Sequence, residues 1–191
     1  MVWIFAVLLL IFVIYKAVGN AKNYKESSGN KHVEELKSSC IRNTDRIKPI
    51  LRSVSGPMTK DTDSTLLKSV FIEVTAFITA IAYSHEEYRN HRDLSQSTAV
   101  DVAHNAGSFS TADYNISYKR IISRRNMYVK MIRNNDNPDS IVSAFRESCF
   151  GLLPQQRSIS GVGELTASVE ITDCAFNIWE EFTGTKLGNI V

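Results

Sequence analysis

The chain opens on a long apolar run. Val2 to Tyr15 (VWIFAVLLLIFVIY) holds no charged or strongly polar side chain, and with Ala17 and Val18 the stretch reaches 17 residues, interrupted only by Lys16. As a helix it would cover about 25 Å, the short end of what a bilayer core requires. Trp3 and Tyr15 stand near its ends as interfacial aromatics, and Lys16 can snorkel toward headgroups. The pattern predicts a single transmembrane helix over residues 1–18, with membrane lipid as the partner of residues 2–18. Two other readings compete with it. Gly19-Asn20-Ala21 loosely fits a signal-peptide cleavage site, which would make the protein an exported one, although no basic residue precedes the apolar run. The run is also short enough for a buried core helix.

Beyond the run, polarity changes abruptly. Residues 19–31 (GNAKNYKESSGNK) read as a polar tether, and residues 32–191 as a soluble α-helical domain, a bundle of about five helices. A first helix is expected from His32 to Val54, its stripe formed by Val33, Leu36, Cys40, Ile47, Ile50, Leu51 and Val54, with Pro49 kinking or ending it. Asp61, Asp63 and Ser64 place acid and cap residues before Leu66, and from there to Tyr83 only Lys68 and Glu73 are charged. Glu73 divides that run, which suits the buried central helix of a bundle better than a second span. Ser69, Ala76, Ala80 and Ser84 give it a narrow side where a neighbour can approach closely.

A short helix is expected at 98–106, with Thr98 and Asp101 as a capping pair. A long one follows near 113–133, with Tyr114, Tyr118, Ile121, Ile122, Tyr128, Val129 and Ile132 at helical spacing. Asn137-Pro138-Asp139 opens another helix in the favoured cap-then-proline order, finished by Gly151 and Pro154. The last helix is expected from Glu164 to Thr183, burying Leu165, Val169, Thr172, Phe176, Trp179 and Phe182, with Gly184 as its stop. The 9 glycines and 4 prolines among 191 residues are too few for a turn-rich β fold.

Charge refines this picture. Residues 1–60 carry ten Lys/Arg against four Asp/Glu, and 113–133 six against one; residues 61–112 carry three against seven, and 134–191 three against eight. Alternating blocks can pair within the fold or leave a basic face for an anionic partner. Lys16, Lys22, Lys25 and Lys31 all follow the apolar run and no Lys or Arg precedes it, so the N-terminus should face out and the domain the cytoplasm. Cys40, Cys149 and Cys174 are odd in number and in no metal-binding spacing, which suits free buried thiols and a reducing compartment.

Few residues suggest chemistry. Glu73, a carboxylate inside an apolar helix, is costly unless paired, and burial of such a group is one route to a general acid, a base or a metal ligand. A structural role is favoured, at the bundle edge or against an Arg of the 113–133 helix. His85, Glu86, Glu87, His91 and Asp93 cluster where the second helix ends. His85 and His91 diverge by about 240° on a helix, so a solvated helix end is preferred to a metal site, and no metal is assigned. Lys119, Arg120, Arg124, Arg125, Lys130 and Arg133 could contact an anionic partner. Internal pairing is preferred, then anionic lipid, with nucleic acid least favoured. Gly161-Val162-Gly163 is neither a dinucleotide-binding nor a phosphate-binding loop, and reads as a hinge or cap. No catalytic motif or cofactor signature is present. The leading expectation is a membrane-anchored module that binds another protein. The alternative is an enzyme or small-ligand binder with a polar pocket around Glu73, helped by His85.

Overall fold

The computed structural model describes residues 33–84, 111–153 and 161–185; of residues 111–116 it describes only the backbone. The expected anchor with Trp3, Tyr15 and Lys16, the tether, the cluster from His85 to Asp93 and the 98–106 helix lie outside the described residues. Among the described residues there are five helices and no strand. α1 spans residues 33–53, α2 Lys60–Ser84, α3 Thr111–Arg133, α4 Pro138–Phe150 and α5 Gly161–Thr183.

α2 is the hub. Every residue from Val70 to Ala82 is buried, so the helix is covered on all sides. It packs along α3 most extensively and also against α4 and α5. α1 joins it through Asp63, which sits 3.4 Å from Lys48 Nζ and 3.6 Å from Arg52 Nε. By length and composition alone α2 could cross a membrane, yet most of its apolar window is buried inside the bundle. The hydroxyl that caps it belongs to Thr59, which accepts from the Thr62 amide at 3.2 Å, rather than to the expected Asp61, Asp63 or Ser64. Asp61 and Asp63 instead occupy the first turn, where the helix dipole favours negative charge.

α1 continues through Pro49 to residue 53. Pro49 is exposed and one turn from the helix end, so the Asp45 carbonyl that it deprives of a partner lies on the water side. Ser39 and Arg42 of α1 both reach Glu181 of α5, at 3.1 and 2.6 Å, while Arg46 acts electrostatically on Cys174. Numbers rising along α1 therefore fall along α5, and the two run antiparallel. Asn137 caps α4 by accepting from the Asp139 amide at 3.1 Å, with Pro138 at the first helical position. Gly184 ends α5 at φ +66°, a conformation that glycine adopts without a side-chain penalty.

α5 departs from expectation in two ways. It begins at Gly161, so Gly161-Val162-Gly163 forms its first turn and not a hinge before it. Its core face is Ala167, Ile171, Cys174, Ala175, Ile178 and Phe182, not the expected stripe. Of that stripe only Phe182 is fully buried. Thr172, Phe176 and Trp179 are half-buried, and Leu165 and Val169 are 68% and 53% exposed. That buried face sets the small side chains of Ala167, Cys174 and Ala175 beside Ile171, Ile178 and Phe182.

Candidate functional site

Glu73 is where the expected chemistry concentrates, and α3 meets it with two side chains. Its side chain is 4% exposed. Arg124 of α3 grips it in a fork: Nη2 donates to Oε1 at 2.8 Å, and Nε to Oε2 at 2.9 Å and to Oε1 at 3.2 Å. The Tyr128 hydroxyl, one turn further along α3, donates to Oε1 at 2.5 Å. Arg124 Nη2 also donates to Ser148 Oγ of α4, and that hydroxyl donates to the Ala144 carbonyl at 2.7 Å. Charged, two-pronged pairs of this kind are the strong members of their class because geometry and charge act together.

The surroundings fix the protonation of the partners. The hydrogen bond to Glu73 holds the Arg124 guanidinium above its ordinary range against the opposing effect of burial. Burial, reinforced by the Glu73 charge, pushes the Tyr128 hydroxyl far up, so it remains a donor. Beneath the network lies an aromatic cluster from three helices. Phe77 stacks on Phe145 with ring centres 4.2 Å apart, and Tyr128 meets Phe77 edge-on at 5.1 Å. One turn of α2 thus sets Glu73 against Arg124 and the Tyr128 hydroxyl, and Phe77 against the Tyr128 ring. Both Glu73 oxygens accept hydrogen bonds, so the carboxylate is engaged as a structural anion.

The expected basic face divides. Lys119, Arg120, Lys130 and Arg133 are exposed, whereas Arg124 is half-buried and Arg125 is 3% exposed. Arg124 turns in toward Glu73, and Arg125 lies over the Tyr83 ring with its guanidinium carbon 4.4 Å from the ring centre. Burial lowers the Arg125 guanidinium from its ordinary range. An anionic partner would therefore meet four cations and not six. Lys119, Lys130 and Arg133 fall within about 60° of one another around α3, while Arg120 points off that line.

The three thiols are free and buried. Burial pushes Cys40 up to about 12, and it raises Cys149 and Cys174 as well. The Glu73 charge acts on Cys149 in the same upward direction, so this thiol stays protonated beside the network. Among the described residues no group of three or more His, Cys, Asp and Glu side chains converges as a metal site. Tyr128 and Ser148 were not foreseen as site residues. The spacing of four between Arg124 and Tyr128 was the available signal, because it sets both on the Glu73 side of α3. No protein family matches this chain, and neither a curated protein nor a solved structure is significantly similar to it.

Proposed function

We propose that the protein is a single-pass membrane protein whose helical bundle works as a protein-interaction or accessory module on the cytoplasmic side. The observation that carries this reading is the engagement of Glu73. The group that a catalytic or ligand-binding reading would need is held by three donor contacts from Arg124 and one from Tyr128. A general base or ligand needs a free lone pair facing an accessible space, and this carboxylate is instead part of what joins α2, α3 and α4. The interaction surface is then what the bundle leaves outside: the four exposed cations of α3 and the outer side of α5. Attachment rests on the apolar run at residues 2–18 and orientation on the lysines that follow it.

Two measurements test it. Membranes from cells expressing the full chain are washed at alkaline pH, and reporter domains fused to the C-terminus report its side. Retention with a cytoplasmic reporter is the expected result; release into the wash overturns the anchor, and an external reporter overturns the orientation. Affinity purification in mild detergent should recover a companion polypeptide in fixed ratio. Glu73→Gln should change stability and leave that recovery intact. Loss of an assayable activity with an unchanged fold would favour the enzyme or ligand-binder reading instead.

A further inference from the structure

Internal contacts account for only two of the six cations of α3. Arg124 holds Glu73, and Arg125 lies over the Tyr83 ring. Among the described residues none of the other four, Lys119, Arg120, Lys130 and Arg133, is in an ion pair. Lys119, Ser123, Asn126, Lys130 and Arg133 are all exposed and fall within about 80° around the helix, a line about 21 Å long. From Ser117 to Arg133 the sequence has no Asp or Glu, so no carboxylate of the same helix stands beside that line. It is a face of one sign, on a helix whose other side is fixed in the core by Ile121, Tyr128 and Val129.

We propose that this face of α3 rests on the anionic lipid headgroups of the membrane that carries the protein. The proposal rests on the membrane-anchored reading above and adds to it which side of the bundle meets the bilayer. Charge complementarity carries it. The cytoplasmic leaflet is negatively charged and attracts clustered Lys and Arg within about a Debye length. Shape favours lipid over nucleic acid. The face is the convex side of one helix and forms no groove to track a phosphate backbone. Tyr118, the exposed ring in the described part of α3, is turned about 100° from Lys119, away from a stacking position on the line. Between Lys119 and Lys130 the line runs about 16 Å with only Ser123 and Asn126 on it. A covalent phosphate backbone would cross that gap unread, whereas lipids move sideways and gather wherever a cation stands.

Each cation near such a surface strengthens attachment about fivefold. The three on the line, Lys119, Lys130 and Arg133, together give about a hundredfold. That is too little to hold a free protein on a membrane, but enough to hold down a face that an anchor already keeps within reach. The contact leaves the outer side of α5 for the protein partner.

The test uses the full chain in phosphatidylcholine vesicles, with or without phosphatidylserine, that carry a quencher attached to lipid. Flotation is recorded first. A fluorophore is placed through Ser123→Cys on the line or, as control, through Asn177→Cys on the exposed polar side of α5. The native thiols are buried and stay unlabelled. The label at 123 should be quenched about threefold more with phosphatidylserine than without it, and the label at 177 equally in both. Lys119→Gln, Lys130→Gln and Arg133→Gln combined should abolish the difference at 123 without changing the circular dichroism spectrum. Raising salt from about 0.1 M to about 1 M should abolish it too. The local readout separates α3 from Lys16, Lys22, Lys25 and Lys31, which also answer to charged lipid. Protein that floats but shows no such difference at 123 overturns the contact alone. Protein that fails to float on phosphatidylcholine overturns the anchor, and the label at 123 on phosphatidylserine then decides the contact by itself. A label at 123 that responds to a single-stranded oligonucleotide and not to phosphatidylserine overturns lipid in favour of nucleic acid.

Discussion

Replacing Arg124 by Met strands a deeply buried carboxylate, Glu73. Glu73 would lose all three contacts from the guanidinium and keep only the Tyr128 hydroxyl. Removing one partner of a buried pair costs about 3–5 kcal/mol. The Arg124 side chain is 30% exposed against 4% for Glu73, so water reaches one edge of the site and the lower end, about 3 kcal/mol, applies. For a chain of this size that corresponds to a fall in Tm of roughly 6–12 °C. Glu73→Gln should cost less, about 1–2 kcal/mol, because the stranded Arg124 can turn to water and an amide oxygen still accepts from Tyr128. The double variant Glu73→Leu with Arg124→Met should be more stable than Arg124→Met alone, since an apolar pair replaces a buried ionic one at little net cost. Thermal unfolding of the full chain in mild detergent, followed by circular dichroism, measures all three. A fall below about 3 °C for Arg124→Met, or a double variant no more stable than Arg124→Met, would refute the view that the pair is desolvated and coupled.

Tyr128→Phe removes one charge-assisted hydrogen bond while keeping the ring against Phe77 and Phe145, and should cost about 1.5–3 kcal/mol in the same assay. The Cys40 thiol is raised in the folded state to about 12 from an ordinary value of 9.0, and Tyr128 is shifted in the same direction. Groups raised in this way leave stability intact below their unfolded values. Stability should therefore fall as pH climbs from about 9 toward 12, by up to about 1.4 kcal/mol per pH unit for each such group, as denaturant titrations at several pH values would show. The three thiols should resist a disulfide-exchange reagent at pH 8 in the folded chain and all react in strong denaturant; rapid labelling of any one without denaturant would place it outside the core. Replacing Lys119, Lys130 and Arg133 together by Gln should change stability by less than about 0.5 kcal/mol per site, whereas Arg125→Gln, which loses its place over the Tyr83 ring, should cost about 2 kcal/mol.

The helical class, the central place of α2 and the structural pairing of Glu73 with an arginine of α3 were all readable from the sequence. Each follows from a strong local contrast: one carboxylate in a long apolar run, or a cap followed by proline at Asn137-Pro138. What escaped reading lies where contrast is weak. In α5 the apolar and small residues occupy a broad arc of about 240°, from Cys174 around to Val162, and periodicity cannot say which half of so wide an arc faces inward. The bundle buries the half that carries Ala167, Cys174 and Ala175, a choice that hydropathy does not register. The basic helix posed a similar problem. Six cations look alike in sequence, and which two turn inward depends on where Glu73 and Tyr83 fall on a different helix. Ser148 entered the network only because α4 crosses beside Arg124, a relation with no local signature.

The distance along the chain between Glu73 and its partner matters during synthesis. Arg124 follows 51 residues later, so α2 leaves the ribosome about 3–10 s before the guanidinium that will neutralise it is made. During that interval α2 is an apolar helix of membrane-spanning length with a lone carboxylate near its middle. A charge at that depth adds about 2.5–3.5 kcal/mol to the cost of insertion by the translocon. In the membrane-anchored reading proposed above, the residue that ties α2 to α3 in the folded bundle would first disfavour insertion of the nascent segment, unlike the uncharged run at residues 2–15.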